Sequence, residues 1–355
     1  MGSALKRIPL KVVVERLLGV IATATPPTRR RVVQVLGRLE DVRSLAKLSE
    51  LLGDPDEGVR VSAVNALGRI GSQQAQSALG RSVDDPAERV RRRAVEVLAG
   101  MPDERSLPIL AKAMGDRSAD VRVAAAIGLG GIKAGDKVPP LIKGLSDASE
   151  EVRLRVVETL GNHVDPRAID PLIGMLRDVS PLVRQAGVRA LGKAGDAQVV
   201  IPLLTAMGDR DLWVKTESRK TLLANVEKWI PDLVRALAVT NEEVQSKAIE
   251  VLSDSKSAKV ASSLLEALNH RNKTMRANAA VILGNLGEKR AVVPLIGLLE
   301  DRDYEAREKS ALALGSIGDI AAIAALKQAQ KDQNKDVRIA AAEAVRQIMQ
   351  MNEIS

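Results

Sequence analysis

Arginine recurs about every 31 residues along the chain, and in most copies an aspartate stands six residues before it. The arginines are Arg29, Arg60, Arg91, Arg122, Arg153, Arg184, Arg276, Arg307 and Arg338. The aspartates are Asp54, Asp85, Asp116, Asp147, Asp178, Asp209, Asp301 and Asp332. An aspartate that starts a helix caps free backbone N–H groups, and a buried arginine needs a carboxylate because an unpaired buried charge is costly. Glu57, Glu88 and Glu150, three residues after an aspartate, would complete capping boxes. These charges are therefore predicted to be structural rather than catalytic.

Residue types that carry out catalysis are scarce. The chain has no cysteine, which excludes disulfides, thiolate nucleophiles and Cys-ligated metals. The two histidines, His163 and His270, lie 107 residues apart and neither belongs to a His-Glu metal motif. Gly128, Gly130 and Gly131 look Gly-rich but follow no strand, which argues against a dinucleotide site. The sequence predicts a non-catalytic protein with no cofactor and no metal.

Basic charge is concentrated near the start of the chain. The formal net charge is +8, and residues 1–100 hold 17 Lys and Arg against 11 Asp and Glu. The runs at 29–31 and 89–93 could meet phosphate or an acidic protein. No aromatic residue interleaves them, which argues against single-stranded nucleic acid.

The same period organises the apolar residues. A leucine recurs with it from Leu36 to Leu314, and Val59, Ala63 and Leu67 share one face at helical spacing. Each period therefore predicts two helices, with glycines such as Gly68 and Gly71 closing the second one. A fixed period of this length is typical of stacked-repeat proteins. Eleven helix pairs fit between residues 10 and 349.

These elements set the expected domain organisation. We predict an N-terminal tail at 1–9, a single solenoid over 10–349 with irregular repeats at about 196–287, and a C-terminal tail at 350–355. The apolar stretch at 8–24 is interrupted by charges and is too short to span a bilayer, so no membrane insertion is expected. A cytoplasmic location is predicted.

Segments such as DPDEGVRVSAVNALGRIG and DVSPLVRQAGVRALGKAGD resemble the HEAT repeat, and more narrowly its short phycobilisome-lyase-type form. The resemblance covers residues 10–349 and implies an all-α, right-handed α-solenoid of about eleven 31-residue HEAT-like pairs. In that family the two charged columns form a hydrogen-bonded ladder inside the stack. Carried over, the ladder residues within or between repeats are Asp54 with Arg60, Asp85 with Arg91, Asp116 with Arg122, Asp147 with Arg153, and Asp178 with Arg184.

The pattern breaks in repeats 7 to 9. Lys215 and Gln245 replace the arginine, and His270 replaces the aspartate. Trp213 and Trp229 fall in this stretch, both in columns that are otherwise mostly polar and therefore expected on the surface. A surface tryptophan is a common binding anchor. The alternative is that each one folds down to cover a defect in an irregular repeat.

The predicted function is a non-catalytic scaffold that binds a macromolecule, most simply a protein, along the concave face that second helices line in the family. The partner-binding candidates are Trp213, Trp229, Lys220, Arg189, Arg155, Arg92 and Arg93. One alternative is a phycobilin lyase-like or chromophore-handling subunit, although no residue here identifies a bilin pocket. The other is a nucleic-acid-binding HEAT-like protein, which the aromatic-poor surface disfavours.

Overall fold

A computed structural model of the protein describes residues 9–101, 103–255 and 257–353. Over these residues the chain forms 22 α-helices, several of them flanked by a short 3-10 turn, and no strand. In chain order the helices are α1 (Leu10–Ile21), α2 (Pro26–Leu39), α3 (Leu45–Glu50), α4 (Glu57–Ile70), α5 (Gln73–Leu79), α6 (Glu88–Ala99), α7 (Ser106–Ala113), α8 (Ala119–Gly131), α9 (Val138–Gly144), α10 (Glu150–Asn162), α11 (Ile169–Met175), α12 (Pro181–Ala194), α13 (Val200–Ala206), α14 (Leu212–Ala224), α15 (Val226–Ala236), α16 (Glu242–Ser253), α17 (Ala258–Ala267), α18 (Lys273–Asn285), α19 (Val292–Leu298), α20 (Tyr304–Ile317), α21 (Ile323–Ala329) and α22 (Lys335–Met351).

The chain divides into two compact units, residues 1–171 (unit 1) and 172–355 (unit 2). Odd-numbered helices are the first and even-numbered helices the second members of consecutive pairs, as in the packing of α7 on α8 and α19 on α20. The predicted all-α solenoid of eleven helix pairs is confirmed. One continuous solenoid over 10–349 stays a prediction.

The predicted tails coincide only in part with what is described. Residues 1–8 of the N-terminal tail lie outside the described residues, as do 354 and 355 at the other end. The last helix continues to Met351, two residues past the predicted end of the solenoid. Within the described ranges, none of the helices combines the length and the apolar character needed to cross a bilayer.

The recurring leucine forms the centre of each layer. Its members are at most 1% exposed: Leu36, Leu67, Leu98, Leu129, Leu160, Leu191, Leu222, Leu252, Leu283 and Leu314. Complete burial of one such side chain contributes about 2 kcal/mol to folding. The core is therefore a series of thin aliphatic layers between neighbouring helices rather than one large centre.

The glycine that follows this leucine allows second helices to approach closely. A Cβ built on Gly68 would lie 2.4 Å from Cγ1 of Val97 in α6, and one on Gly284 would lie 2.7 Å from Cα of Ala313 in α20. Of the two glycines expected to close α4, Gly68 does not, because the helix continues through it to Ile70. The helix ends at Gly71, as expected, and Gly71 takes the left-handed conformation with φ 65°.

The expected capping boxes are also wrong. The N-cap of α4 is Asp56, whose carboxylate accepts from the backbone N–H of Val59, and not Asp54. Asp54 lies two residues earlier and accepts from the backbone N–H of Asp56 at 2.9 Å. The recurring aspartate therefore folds the turn before the second helix, and its remaining oxygen lone pairs are free for a side-chain donor.

Repeat 8 departs from its neighbours in its first helix. The helix α15 has 11 residues and contains Pro231, whereas α13 in repeat 7 has seven. The second helices α14 and α16 meet over few residues. Leu223 occupies the glycine position of α14, and its bulk is the physical reason that these two helices do not approach as α18 and α20 do.

Candidate functional site

Seven of the recurring arginines each join two neighbouring repeats within a unit. Nε and Nη2 of Arg60 donate to the carboxylate of Asp85 at 2.8 and 3.0 Å, and Nη1 donates to the main-chain oxygen of Asp54 at 2.9 Å. Both side chains of the Arg60–Asp85 pair are largely buried. The same bidentate contact is made by Arg29–Asp54, Arg91–Asp116, Arg122–Asp147, Arg184–Asp209, Arg276–Asp301 and Arg307–Asp332.

In these seven pairs the carboxylate comes from the next repeat, whereas the residue six positions before the arginine contributes only its main-chain carbonyl where that contact is seen. Arg153 donates in this way to the carbonyl oxygen of Asp147, and Arg184 to that of Asp178, both at 2.9 Å. The carboxylate of Asp178 accepts from the backbone N–H of Ser180.

These contacts lower the pKa of some of the ladder aspartates, of which Asp116 is an example. Burial alone would raise the pKa of Asp116, but hydrogen bonds from Arg91 and from the backbone of Ser118 hold it below its ordinary value. The hydrogen bond to Asp116 in turn raises the pKa of Arg91. Both groups stay charged and engaged with each other, an arrangement that suits structural support better than proton transfer.

The ladder is interrupted in repeats 7 to 9. Among the described residues, no carboxylate pairs with Lys215 or Gln245. Gln245 retains the main-chain half of the arginine contact, since its side-chain amide donates to the carbonyl oxygen of Val239. His270 likewise replaces the aspartate in its turn, because Nδ1 accepts from the backbone N–H of Asn272 at 3.1 Å.

Most arginines predicted to bind a partner are engaged in ion pairs on the second-helix face. In unit 1, Arg92 lies 3.0 Å from Asp120 and 3.3 Å from Glu96. Arg93 lies 2.9 Å from Glu96 and also donates to Asn65. These side chains are still 43–49% exposed, so the face is a solvated network of both charge signs.

The remaining polar candidates differ from one another in their partners. Arg155 donates to Glu158 at 2.8 Å. Arg189 lies 4.0 Å from Glu217, at the outer limit of an ion pair. Lys220 is exposed and has no ion-pair partner among the described residues.

Trp213 lies on the surface of unit 2 among other apolar side chains. It is 71% exposed at the start of α14, beside Leu212, which is also 71% exposed. In the preceding repeat, Leu182 occupies the position equivalent to Trp213 and is 54% exposed, and Val179 before it is 78% exposed. Arg210 connects the two turns by donating to the carbonyl oxygen of Val179. We call Val179, Leu182, Leu212 and Trp213 the Trp213 patch.

Sequence reasoning found only one member of this patch. The sequence pattern that could have revealed the other members lies in the first turn of the second helices. Most repeats place an acidic residue there, such as Glu57, Glu88 or Glu242. The helices α12 and α14 have no acidic residue there and carry apolar ones instead.

Trp229 is a buried residue, so the prediction that it anchors a partner on the surface is wrong. It is 1% exposed in α15, where Ile230 and Leu233 are also buried. Its indole Nε1 donates to the carbonyl oxygen of Gly195, the left-handed residue that ends α12. The indole thus fills the irregular repeat, as the alternative interpretation expected for both tryptophans.

The two histidines belong to different environments. His163 ends α10, and His270 supports the turn described above. The part of the chain that the structure describes contains no group of three or more His, Cys, Asp or Glu side chains that could hold a metal ion.

Comparison with solved structures identifies similar folds at low sequence identity. An engineered protein is 20% identical over 94% of this chain and 98% of its own, with a TM-score of 0.35. Human deoxyhypusine hydroxylase is 22% identical over 80% and 99%, with a TM-score of 0.30. The karyopherin Kap121p, solved with the extreme C-terminus of the protein phosphatase Cdc14p, is 14% identical with a TM-score of 0.51. The alignment covers 95% of this chain but only 46% of the karyopherin.

A family comparison is more specific. Curated protein sequences gave no significant match. A family model described as HEAT repeats matches residues 14–99, 80–143, 138–224 and 261–346, well over half of the chain. The stretch between 224 and 261 contains repeat 8, where the ladder and the glycine column are both lost. With the helix pairs and the ladder geometry, this match shows that the chain belongs to the HEAT-repeat family.

Proposed function

We propose that the protein is a non-catalytic scaffold that binds another protein, with the Trp213 patch as the anchor of that interface. The observation that carries the proposal is the exposure of Trp213, with three large apolar neighbours at the same edge of two adjacent repeats. Buried in an interface, a tryptophan and its aliphatic surroundings form the kind of centre that dominates binding energy.

The apolar residues of the patch are not needed to cap their own helices. An acidic residue in the first turn interacts favourably with the helix dipole, which α12 and α14 forgo. Their N-caps, Ser180 and Asp211, complete the helix ends without help from the apolar residues. Leu212 and Trp213 therefore expose apolar surface at a helix start that is already capped, which supports a role in binding.

The fold is compatible with this role. The Kap121p structure holds a segment of another protein, so an α-solenoid of this kind can present a surface to a protein chain. The patch also differs from the ion-paired second-helix face. Charges that are already paired bring little net affinity to an interface, whereas desolvation of an exposed indole brings much.

The test is site-specific photo-crosslinking at position 213 in the organism's own lysate, followed by affinity measurement with the purified partner. We expect one protein to be crosslinked at 213. Trp213→Ala should weaken its binding at least tenfold, because truncation of a central tryptophan typically costs about 2 kcal/mol or more. The helical content of the variant should be unchanged, since most of the Trp213 side chain is exposed to solvent.

Val293 provides the matched control. It is 77% exposed in α19 of the same unit, outside the patch. Crosslinking at 293 should not recover the same protein, and Val293→Ala should bind the partner like the wild type. Recovery of the same proteins from both positions, or normal binding by Trp213→Ala, would contradict the proposal. A crosslink to a second copy of this chain would mean that the patch is a self-association surface instead.

Finer assignments of subfamily, location and ligand need their own tests. The phycobilisome-lyase-type subfamily and a cytoplasmic location remain predictions from the sequence. A bilin-handling protein should gain visible absorbance on co-expression with a bilin. A nucleic-acid-binding protein should bind DNA with an affinity that falls linearly with log salt concentration. The scaffold proposal expects neither result.

A further inference from the structure

A groove on the second-helix face of unit 1 holds arginines that no carboxylate neutralises. It has a volume of about 610 Å³ and lies across α2, α4 and α6. Arg38, Arg69 and Arg93 line it, and Glu96 is its only acidic lining residue. Small residues such as Ala66 among the lining residues leave room for an occupant close to the backbone.

Arg38 and Arg69 stand apart from the other arginines of this face. Both are exposed, and among the described residues neither forms an ion pair or a side-chain hydrogen bond. Arg93, by contrast, is paired with Glu96. Arg38 and Arg69 occupy the same position in adjacent repeats, each in the last turn of its helix.

Helix stability does not account for these two residues. A cation in the last turn stabilises a helix by only about 0.3–1 kcal/mol. The next two repeats of unit 1 carry Gly100 and Gly131 at this position, so the repeat does not require a charge there. Two guanidinium groups that line one groove from equivalent positions, both with free donors, are suited to an anionic ligand that bridges them.

The surroundings select the class of anion. Unit 1 contains no Phe, Trp or Tyr, so it offers no surface on which bases could stack. A guanidinium binds a carboxylate through two parallel hydrogen bonds. The groove crosses several helices, so it suits an extended chain rather than a single small ion. These features favour an acidic segment of a protein.

The distance between repeats sets the spacing of the acids. Adjacent helices pack roughly 8–10 Å apart, which is also the expected separation of Arg38 and Arg69 along the groove. A polyproline II helix advances about 3.1 Å per residue and returns to the same face every third residue, or about 9 Å. Carboxylates three residues apart in such a segment would face the two arginines in turn.

We propose that this groove binds an acidic, extended protein segment whose carboxylates at positions i and i+3 pair with Arg38 and Arg69. The site is separate from the Trp213 patch, which lies in unit 2. This proposal names the chemical class of a second ligand for the scaffold. It holds whether or not the Trp213 patch binds a partner.

The probe is a fluorescent proline-rich peptide with glutamate at every third position, measured by anisotropy against the full-length protein. Its isomer has the same composition with the glutamates adjacent. We expect the spaced peptide to bind at least fivefold more tightly than the isomer. The double variant Arg38→Ala/Arg69→Ala should lose at least tenfold in affinity, and added salt should weaken binding of the wild type.

Arg81→Ala is the control for net charge, because Arg81 is an exposed arginine of unit 1 that lines a different groove, beside Arg43. It should bind the spaced peptide like the wild type, as should Trp213→Ala. Arg69→Glu should instead prefer a peptide with lysine at the facing position, which tests the contact independently of any loss of stability. The proposal would be overturned if the two isomers bound equally, or if Arg81→Ala lost as much affinity as the double variant. It would also be overturned if RNA displaced the labelled peptide at a lower concentration than the unlabelled spaced peptide does.

Discussion

Arg184 and Asp209 illustrate what a single ladder residue contributes. Both guanidinium hydrogen bonds to the carboxylate are 2.8 Å long, and the two side chains are 4% and 11% exposed. Asp209→Asn keeps the shape and removes the charge that compensates the buried guanidinium. We expect unit 2 to lose about 3 kcal/mol in its free energy of unfolding, as is usual when one partner of a buried pair is removed.

The measurement is urea denaturation followed by tryptophan fluorescence. Trp213 and Trp229 both lie in unit 2, and the buried Trp229 reports its unfolding. Glu227→Gln is the control, since Glu227 pairs with Lys259 at 2.7 Å on the exposed surface and its loss should barely change the transition. An unchanged midpoint for Asp209→Asn would show that the ladder does not stabilise the stack.

Helix contacts depend on whether a glycine faces a neighbouring backbone. A Cβ on Gly284 would lie 2.7 Å from Cα of Ala313, which cannot move without shifting α20. Gly284→Ala should therefore destabilise unit 2 by about 1–3 kcal/mol despite the better helix propensity of alanine. Gly297 in α19 has no atom within 4 Å of the equivalent position. Gly297→Ala should stabilise the protein by up to about 1 kcal/mol.

The two glycine variants are compared by thermal denaturation followed by circular dichroism. The expected shifts of the unfolding midpoint have opposite signs, because the gain in propensity is common to both and only the contact differs. Two shifts in the same direction would mean that close helix approach is not what keeps the glycine in its column.

Periodicity predicted the elements better than their ends. It placed Leu67 and its equivalents in the core, but it could not distinguish a glycine inside a helix, such as Gly68, from one that ends it, such as Gly71. That difference depends on which neighbour the glycine faces, which only the packing of the next repeat determines. Trp229 was misplaced for a related reason, because an irregular repeat turns a surface position of the regular pattern into a buried one.

The candidate surfaces were predicted only in part. Trp213 can be identified as a candidate from its residue type alone. Leu182 and Val179 can be recognised as part of the same surface only when the structure shows which residues of adjacent repeats are exposed. In the sequence alone, Arg38 and Arg69 are indistinguishable from other cations near the C-terminus of a helix. Their lack of a partner is a property of the fold and has no signature in a single sequence.

At the scale of the whole molecule, the ladder makes both units less stable at low pH. The pKa values of several ladder aspartates lie below their ordinary value because arginine and backbone donors stabilise the carboxylates against the opposing effect of burial: Asp116, Asp147, Asp209, Asp301 and Asp332. A group whose pKa is lower in the folded state contributes stability that is complete above its unfolded pKa. That stability is lost as the pH falls through the folded pKa.

The unfolded pKa of aspartate is about 3.9, so the ladder predicts a specific pH window. The thermal midpoint should stay nearly constant from pH 7 to about 5 and fall steeply below about pH 4, where two of these carboxylates in unit 1 and three in unit 2 take up protons. Because Asp209→Asn has one such group fewer, the midpoint of unit 2 should start lower and fall less steeply with acid, as followed by Trp229 fluorescence. A decline that begins near pH 6, or a variant as acid-sensitive as the wild type, would place the source of the acid dependence outside the ladder.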